Sequence, residues 1–218
     1  MSKEVICVRD LSFSYEKNPI LDGVSFAVNE GDFVAIVGEN GAGKSTLMNL
    51  MLQNLTNYDG EIQLFGVDIK RDNHFRDLAY ISQNSVLSYK NFPTTIEECV
   101  KIHLSFLKKK ADLKFYLEQV GLFEHRKKSL DELSGGQLQR LGIVLALIKD
   151  AKIIFLDEPT SGIDEKFADE FFENLSNLKN KTVVIITHQL DLAGKYIDYA
   201  IKIKDKKAVR IQKNEIRL

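Results

Sequence analysis

Nine consecutive residues, Gly38-Glu39-Asn40-Gly41-Ala42-Gly43-Lys44-Ser45-Thr46, carry the spacing G-x-x-x-x-G-K-[ST]. Glycines at these steps let the backbone curl without a Cβ in the way, so that successive N–H groups face an anion. The free N–H groups of a following helical turn, with the positive end of its dipole, complete such a cradle. Lys44 can then reach the β- and γ-phosphates of a nucleotide as a point charge, and the Ser45 hydroxyl can ligate Mg²⁺. A second cluster is Asp157-Glu158, two carboxylates at the end of the apolar run Ile153-Ile154-Phe155-Leu156. Beside a phosphate loop, the carboxyl end of a buried strand is where a nucleotide meets the sheet. Asp157 is therefore the expected Mg²⁺ partner, and Glu158 is the group able to point at an attacking water. A third cluster, Leu133-Ser134-Gly135-Gly136-Gln137, opens a helical pattern. A serine and two glycines there make either a helix cap or a second anion site.

These groups need rigid supports, and the flanking sequence supplies them. Phe33–Val37 is a continuous apolar run that reads as a buried strand before the loop, and Leu47–Leu52 reads as a helix after it. Val5–Val8, Leu11–Tyr15 and Gly23–Val28 predict strands of an antiparallel region, with a turn at Asn18-Pro19 and another at Asn29–Asp32. Glu61–Phe65, Leu78–Ser82, Lys152–Leu156 and Thr182–Thr187 predict further strands, and Tyr199–Arg210 a hairpin turning at Asp205–Lys207. From Thr95 to Lys128 the apolar spacing is helical, with Ile96, Cys99, Val100, His103, Leu104 and Leu107 recurring at three and four. Phe167–Leu178 predicts an amphipathic helix with Ala168, Phe171, Phe172, Leu175 and Leu178 inward. Strands alternating with helices around buried apolar strands imply an α/β core with a parallel sheet. The helical block at about 86–140 interrupts that alternation and is expected to be an inserted subdomain. Residues 1–85 and 150–218 would then form the core, including the antiparallel part.

Composition narrows the partners. The 218 residues hold 30 Lys and Arg against 31 Asp and Glu, a net charge of −1, so no overall field recruits nucleic acid or anionic lipid. One basic stretch stands out: Lys101, Lys108, Lys109, Lys110, Lys114, Arg126, Lys127 and Lys128 against Asp112, Glu118 and Glu124. It reads as a solvated helix face or as a docking surface. Cys7 and Cys99 are in no metal-ligand spacing and are expected as buried, reduced thiols. The N-terminus lacks the apolar region of a signal peptide, and no apolar run approaches the ~18 residues of a membrane span. A cytoplasmic protein is the expectation.

Residues 38–46, 133–137 and 153–158, in that order, resemble the Walker A, signature and Walker B motifs of the ATP-binding-cassette ATPases. The signature is the diagnostic one, because other phosphate-loop families lack it. Smaller landmarks fit the same resemblance. Tyr15 matches the aromatic that stacks on adenine, Gln83 the glutamine of the Q-loop, and His188 the switch histidine, while Ser161-Gly162-Ile163-Asp164 resembles the D-loop. On their own, Tyr15 would be a strand aromatic, Gln83 a surface amide and His188 a structural residue; their order relative to the three motifs carries them. His74, His103 and His125 receive no role. The chain departs from the common pattern at Glu39, Leu138 and Gln189, where proline or serine, glutamine and an acid are frequent. None of these removes a catalytic group.

The resemblance implies a phosphate-loop NTPase core with a mainly parallel sheet, an antiparallel N-terminal β subdomain and an inserted α-helical subdomain. It implies ATP and Mg²⁺ held by Tyr15, Gly38, Asn40, Gly41, Ala42, Gly43, Lys44, Ser45 and Thr46, with Ser45, Gln83 and Asp157 toward the metal. Glu158 would polarise the attacking water, Gln83 would sense it, and His188 would contact the γ-phosphate. Ser134, Gly135, Gly136 and Gln137 would act in trans on ATP held by a second copy of the chain. Separate integral membrane subunits would receive the motion, placing the protein on the inner face of the cell membrane, with no nucleic acid expected. The segment Asn91–Val100 is similar to that of zinc and manganese importers, and Ser161–Asp164 suits them too. Small-molecule or peptide exporters, and soluble cassette ATPases outside transport, are the other classes.

Overall fold

The structure, a computed structural model, describes residues 3–82, 88–160, 165–178 and 180–215. The chain divides into two compact units, Met1–Phe75 with Lys179–Leu218, and Arg76–Leu178.

In the first unit, β1 (Glu4–Tyr15), β2 (Asn18–Asn29), β4 (Asp59–Leu64) and β5 (Val67–Asp68) form an antiparallel sheet in the order β2-β1-β4-β5. The β1–β2 turn lies at Glu16-Lys17, with Glu16 in the left-handed region at φ 53°, and not at Asn18-Pro19. Pro19 instead pairs with Ser14 near the start of β2. A proline without an N–H is tolerated there because β2 is an edge strand. Cys7 is half-buried rather than buried, since it alternates onto the opposite face from Ile6 and Val8.

A second layer of this unit holds β3 (Phe33–Val37) between β8 (Thr182–Ile186) and β9 (Tyr199–Lys204), both parallel to it. The strand β10 (Lys207–Gln212) pairs antiparallel with β9. Every residue of β3 and of β8 is buried, as a central parallel strand covered on both faces requires. The start of β3 is pinned by side chains: Asp198 Oδ2 accepts from the Phe33 amide at 2.8 Å, and the Tyr199 hydroxyl donates to Asp32 Oδ2 at 2.9 Å. Burial and the Asp32 charge push the Tyr199 phenol well up, which keeps it a donor. Helix α1 (Lys44–Met51) follows β3 and buries Leu47, Met48, Leu50 and Met51. A four-residue helix, Leu190–Ala193, follows β8 and leaves no periodic trace in the sequence.

In the second unit, β6 (Leu78–Ser82) runs parallel to β7 (Ile153–Asp157), with Ser82 opposite Asp157. The predicted helical block resolves into α2 (Ile96–Phe106) and α3 (Leu113–Glu118), followed by short 3₁₀ turns at Phe123–His125 and Leu130–Glu132. The break falls after Leu107, where Lys108 turns left-handed at φ 53°. Helix α4 (Gly135–Lys149) packs against α2, α3, β6 and α5 (Glu165–Ser176). Nine of its residues are buried, including Leu138, Leu141, Val144 and Ile148, so it is the core helix of this unit. Along α5, Ala168, Phe171, Phe172 and Leu175 are buried as predicted, while Leu178 lies past the helix end and is only half-buried. Cys99 on α2 is likewise half-buried, and burial raises its thiol.

Candidate nucleotide site

The phosphate loop is built by contacts that only glycine allows. A Cβ on Gly38 would lie 2.5 Å from the Ile203 carbonyl oxygen of β9, and one on Gly43 would lie 2.9 Å from Ile20 Cγ2. Gly43 is also the N-cap of α1, left-handed at φ 102°, and no side chain caps the helix. The first amides of α1 are therefore not met by a capping side chain, as an anion site requires. Lys44 is 7% exposed, and its ammonium donates to the carbonyls of Gly38 at 2.8 Å and Glu39 at 2.9 Å. The Ala42 amide donates to the Glu39 carbonyl at 3.1 Å, closing the loop's outer turn. Ser45 is exposed and Thr46 half-buried. A small uncapped cradle with a cation in its rim fits a phosphate group.

The loop's outer side, Glu39, Asn40, Gly41 and Ala42, borders a cleft of about 410 Å³ whose other wall is Pro19, Ile20 and the end of β9 with the turn after it, Lys202 to Lys206. The hairpin lysines were not identifiable as neighbours of the loop from sequence, since only the β3–β9 pairing brings them there. Tyr15 stands at the tip of the β1–β2 hairpin, 46% exposed, edge-to-face with Phe13 at 4.8 Å between centroids. An exposed ring braced by a buried one is suited to stacking on a base. His188 is exposed just after β8, where buried Thr187 accepts from the Gln189 amide at 3.0 Å.

In the second unit, Asp157 ends β7 half-buried, and its Oδ2 accepts from the Tyr80 hydroxyl at 3.3 Å. Burial and the Asp157 charge raise the Tyr80 phenol. Glu158 follows in the left-handed region at φ 49°, a conformation unfavourable for a non-glycine residue and concentrated at functional sites. Ser134 is the N-cap of α4, its Oγ accepting from the Gln137 amide at 3.2 Å while Gln137 Oε1 accepts from the Ser134 amide at 3.1 Å. That cap uses an acceptor lone pair and leaves the hydroxyl proton to be donated. A Cβ on Gly135 would meet nothing within 4 Å, so the loop faces open space. Gln83 and Ser161–Asp164 lie outside the described residues.

Among the described residues no group of three or more His, Cys, Asp or Glu could hold a metal ion by itself. Beside a nucleotide, Mg²⁺ usually takes one or two protein oxygens together with phosphate oxygens; the exposed Ser45 hydroxyl in the first unit is an oxygen of that kind, and so, in the second unit, is the half-buried Asp157 carboxylate.

A buried parallel strand feeding a glycine loop and an uncapped helix defines a phosphate-loop nucleotide-binding α/β protein. A sequence model of the ABC transporter family matches residues 21–161. The chain is 33% identical over 216 residues to a zinc uptake system ATP-binding protein, ZurA, of Listeria monocytogenes, covering 92% of this chain and 83% of that one. It is 35% identical over 203 residues to a manganese transport system ATP-binding protein, MntB, of Bacillus subtilis, covering 88% and 80%. Its fold is similar to that of a nucleotide-free ATP-binding cassette from an ABC transporter, with a TM-score of 0.81, 26% identity, and coverage of 98% and 93%. The chain belongs to the ABC transporter family, as an ATP-hydrolysing subunit that uses ATP with Mg²⁺.

Proposed function

We propose that the chain energises uptake of a divalent metal cation, zinc or manganese, through separate integral membrane subunits, working as a pair of copies on the inner face of the membrane. The observation that carries this reading is that relatives named for zinc and for manganese transport align with 92% and 88% of the chain. The likeness of Asn91–Val100 to metal importers supports it.

In the first unit, the loop residues Gly38 and Asn40 to Thr46, with the Lys44 ammonium, hold the phosphates, Tyr15 stacks on adenine, and His188 contacts the γ-phosphate. Ser45 and Asp157, with Gln83, are the residues that would hold Mg²⁺, which when bound neutralises charge on the β- and γ-oxygens. Glu158 takes the role of polarising water; its left-handed backbone is the strained feature that supports a function there. Ser134, Gly135, Gly136 and Gln137 close on nucleotide carried by the second copy, a reading supported by the exposure of Ser134 and Gly135 at the start of α4. The helical segment at about 86–140 serves as the inserted subdomain that meets the membrane subunits. Among the described residues no helix is long and apolar enough to cross a membrane, so the transport path is assigned to those partners.

The test is purification of the tagged chain from detergent-solubilised membranes, identification of the integral subunits that accompany it, and their reconstitution in vesicles. ATP-driven accumulation of zinc or manganese is expected. Co-purification with a peptide exporter, or vesicles that move neither metal, would reject the reading.

A further inference from the structure

We infer that Tyr80 is a positioning residue for Asp157, fixing the carboxylate that is to meet Mg²⁺; this rests on the reading of Asp157 as the metal's partner. Strand side chains two residues apart share a face, and on β6 these are Tyr80 and Ser82. Ser82 stands opposite Asp157 in the parallel register, and Tyr80 one step earlier opposite Phe155. From there the phenol reaches forward to donate to Asp157 Oδ2 at 3.3 Å. The Ser82 hydroxyl in turn hydrogen-bonds the Tyr80 oxygen.

The position of Tyr80 is not that of a packing residue. On a strand whose Leu78 and Ile81 are 6% and 4% exposed, Tyr80 is 36% exposed. What the side chain contributes is a donor held above the end of the neighbouring strand. An aspartate has two torsions, and one hydrogen bond to a fixed donor restrains the second of them. Mg²⁺ demands near-ideal octahedral geometry, so a carboxylate free to rotate would bind it less well. Residues that orient metal-ligating groups in this way typically change metal affinity by 10–100-fold when removed.

The variants are Tyr80→Phe, which keeps the ring and deletes the donor, Asp157→Asn, and the double replacement. The readouts are binding of a fluorescent ATP analogue as Mg²⁺ is titrated, the same binding in EDTA, and the melting temperature without nucleotide. For Tyr80→Phe we expect the half-saturating Mg²⁺ concentration to rise roughly tenfold, with binding in EDTA and melting unchanged. In Asp157→Asn the Mg²⁺ dependence should be lost, and adding Tyr80→Phe should change nothing further, as a double-mutant cycle requires of residues that act through one another. A wild-type Mg²⁺ midpoint in Tyr80→Phe, while Asp157→Asn loses its dependence, overturns the role of Tyr80 alone. Retention of the Mg²⁺ dependence in Asp157→Asn overturns both the role of Tyr80 and the reading of Asp157.

Discussion

At the scale of single residues, the phosphate loop offers one ammonium, already desolvated, and two carbonyls that hold it. Lys44→Ala is expected to weaken ATP binding by the worth of a charged hydrogen bond, about 1.5–3 kcal/mol or some ten- to hundredfold, read by equilibrium nucleotide binding. Steady-state hydrolysis near the wild-type rate would remove Lys44 from the site. If Tyr15 stacks on adenine as proposed, Tyr15→Ala should weaken binding by about 1–3 kcal/mol, whereas Tyr15→Phe should be nearly silent, because stacking uses the ring. Equal damage from both would mean that the hydroxyl, and not the ring, is in use. The spacing of residues 38–46 was legible because Lys44 is held by carbonyls only five and six residues away, whereas the close approach of Gly38 to Ile203 and of Gly43 to Ile20 joins distant parts of the chain. Tyr80 was not, because its one informative contact joins positions 77 apart. The roles of Gln83 and of Ser161–Asp164 rest on motif order alone.

Among the elements, α2 shows most directly how a local sequence signal becomes structure. Thr95 caps the helix by accepting from the Glu98 amide at 3.3 Å, and Glu98 Oε2 accepts in return from the Thr95 amide at 3.0 Å. The Thr95 amide, and then the hydroxyls of Thr95 and Thr94, hold the Glu98 carboxyl below the usual glutamate range. Thr95→Ala is expected to remove about 1 kcal/mol, a fall of roughly 2–4 °C in melting temperature for a chain of this size. The pH dependence has a definite sign. A carboxyl with a depressed folded pKa contributes stability that is complete above the unfolded value of about 4.3 and is lost as pH falls through the folded value. The advantage of wild type over Glu98→Gln should therefore hold at neutral pH and shrink only on acidification below about pH 4.3, as thermal melts at several pH values would show. A gap that widens in acid would contradict this account of the cap. Elements with unbroken apolar runs, β3 and β8, were readable directly. The β1–β2 turn lies two residues before the place its sequence signals, because Asn18-Pro19 is a stronger turn signal than the Glu16-Lys17 pair that turns here. The break between α2 and α3 carries neither glycine nor proline, so periodicity ran through it.

At the scale of the whole molecule, the α/β class was legible from the alternation of strands and helices, and the family from the order of three short motifs. The division of the chain into Met1–Phe75 with Lys179–Leu218, and Arg76–Leu178, is marked by no linker or shift in composition, since it depends on contacts distant in sequence. Glu158→Gln keeps the side chain's shape and removes the charge proposed to polarise water, so ATP should bind while hydrolysis nearly stops. If Ser134 and its loop act on the other copy's nucleotide, this variant should dimerise with ATP and not with ADP, and adding Ser134→Arg should abolish the dimer. Size-exclusion chromatography with light scattering distinguishes these cases; an ATP-dependent dimer that tolerates Ser134→Arg would put the interface elsewhere. The Lys44 brace also bears on the protein's abundance in the cell. Two charged hydrogen bonds to its own loop make the same amine a tie within the native state, where total stability is only about 5–15 kcal/mol. A chain that loses it falls toward the unfolded population that proteases clear, with severalfold effects on amount for every 1–2 kcal/mol or so. Drift at position 44 would therefore be opposed by proteostasis as well as by selection for turnover, since the variant would be scarce before its chemistry was tested.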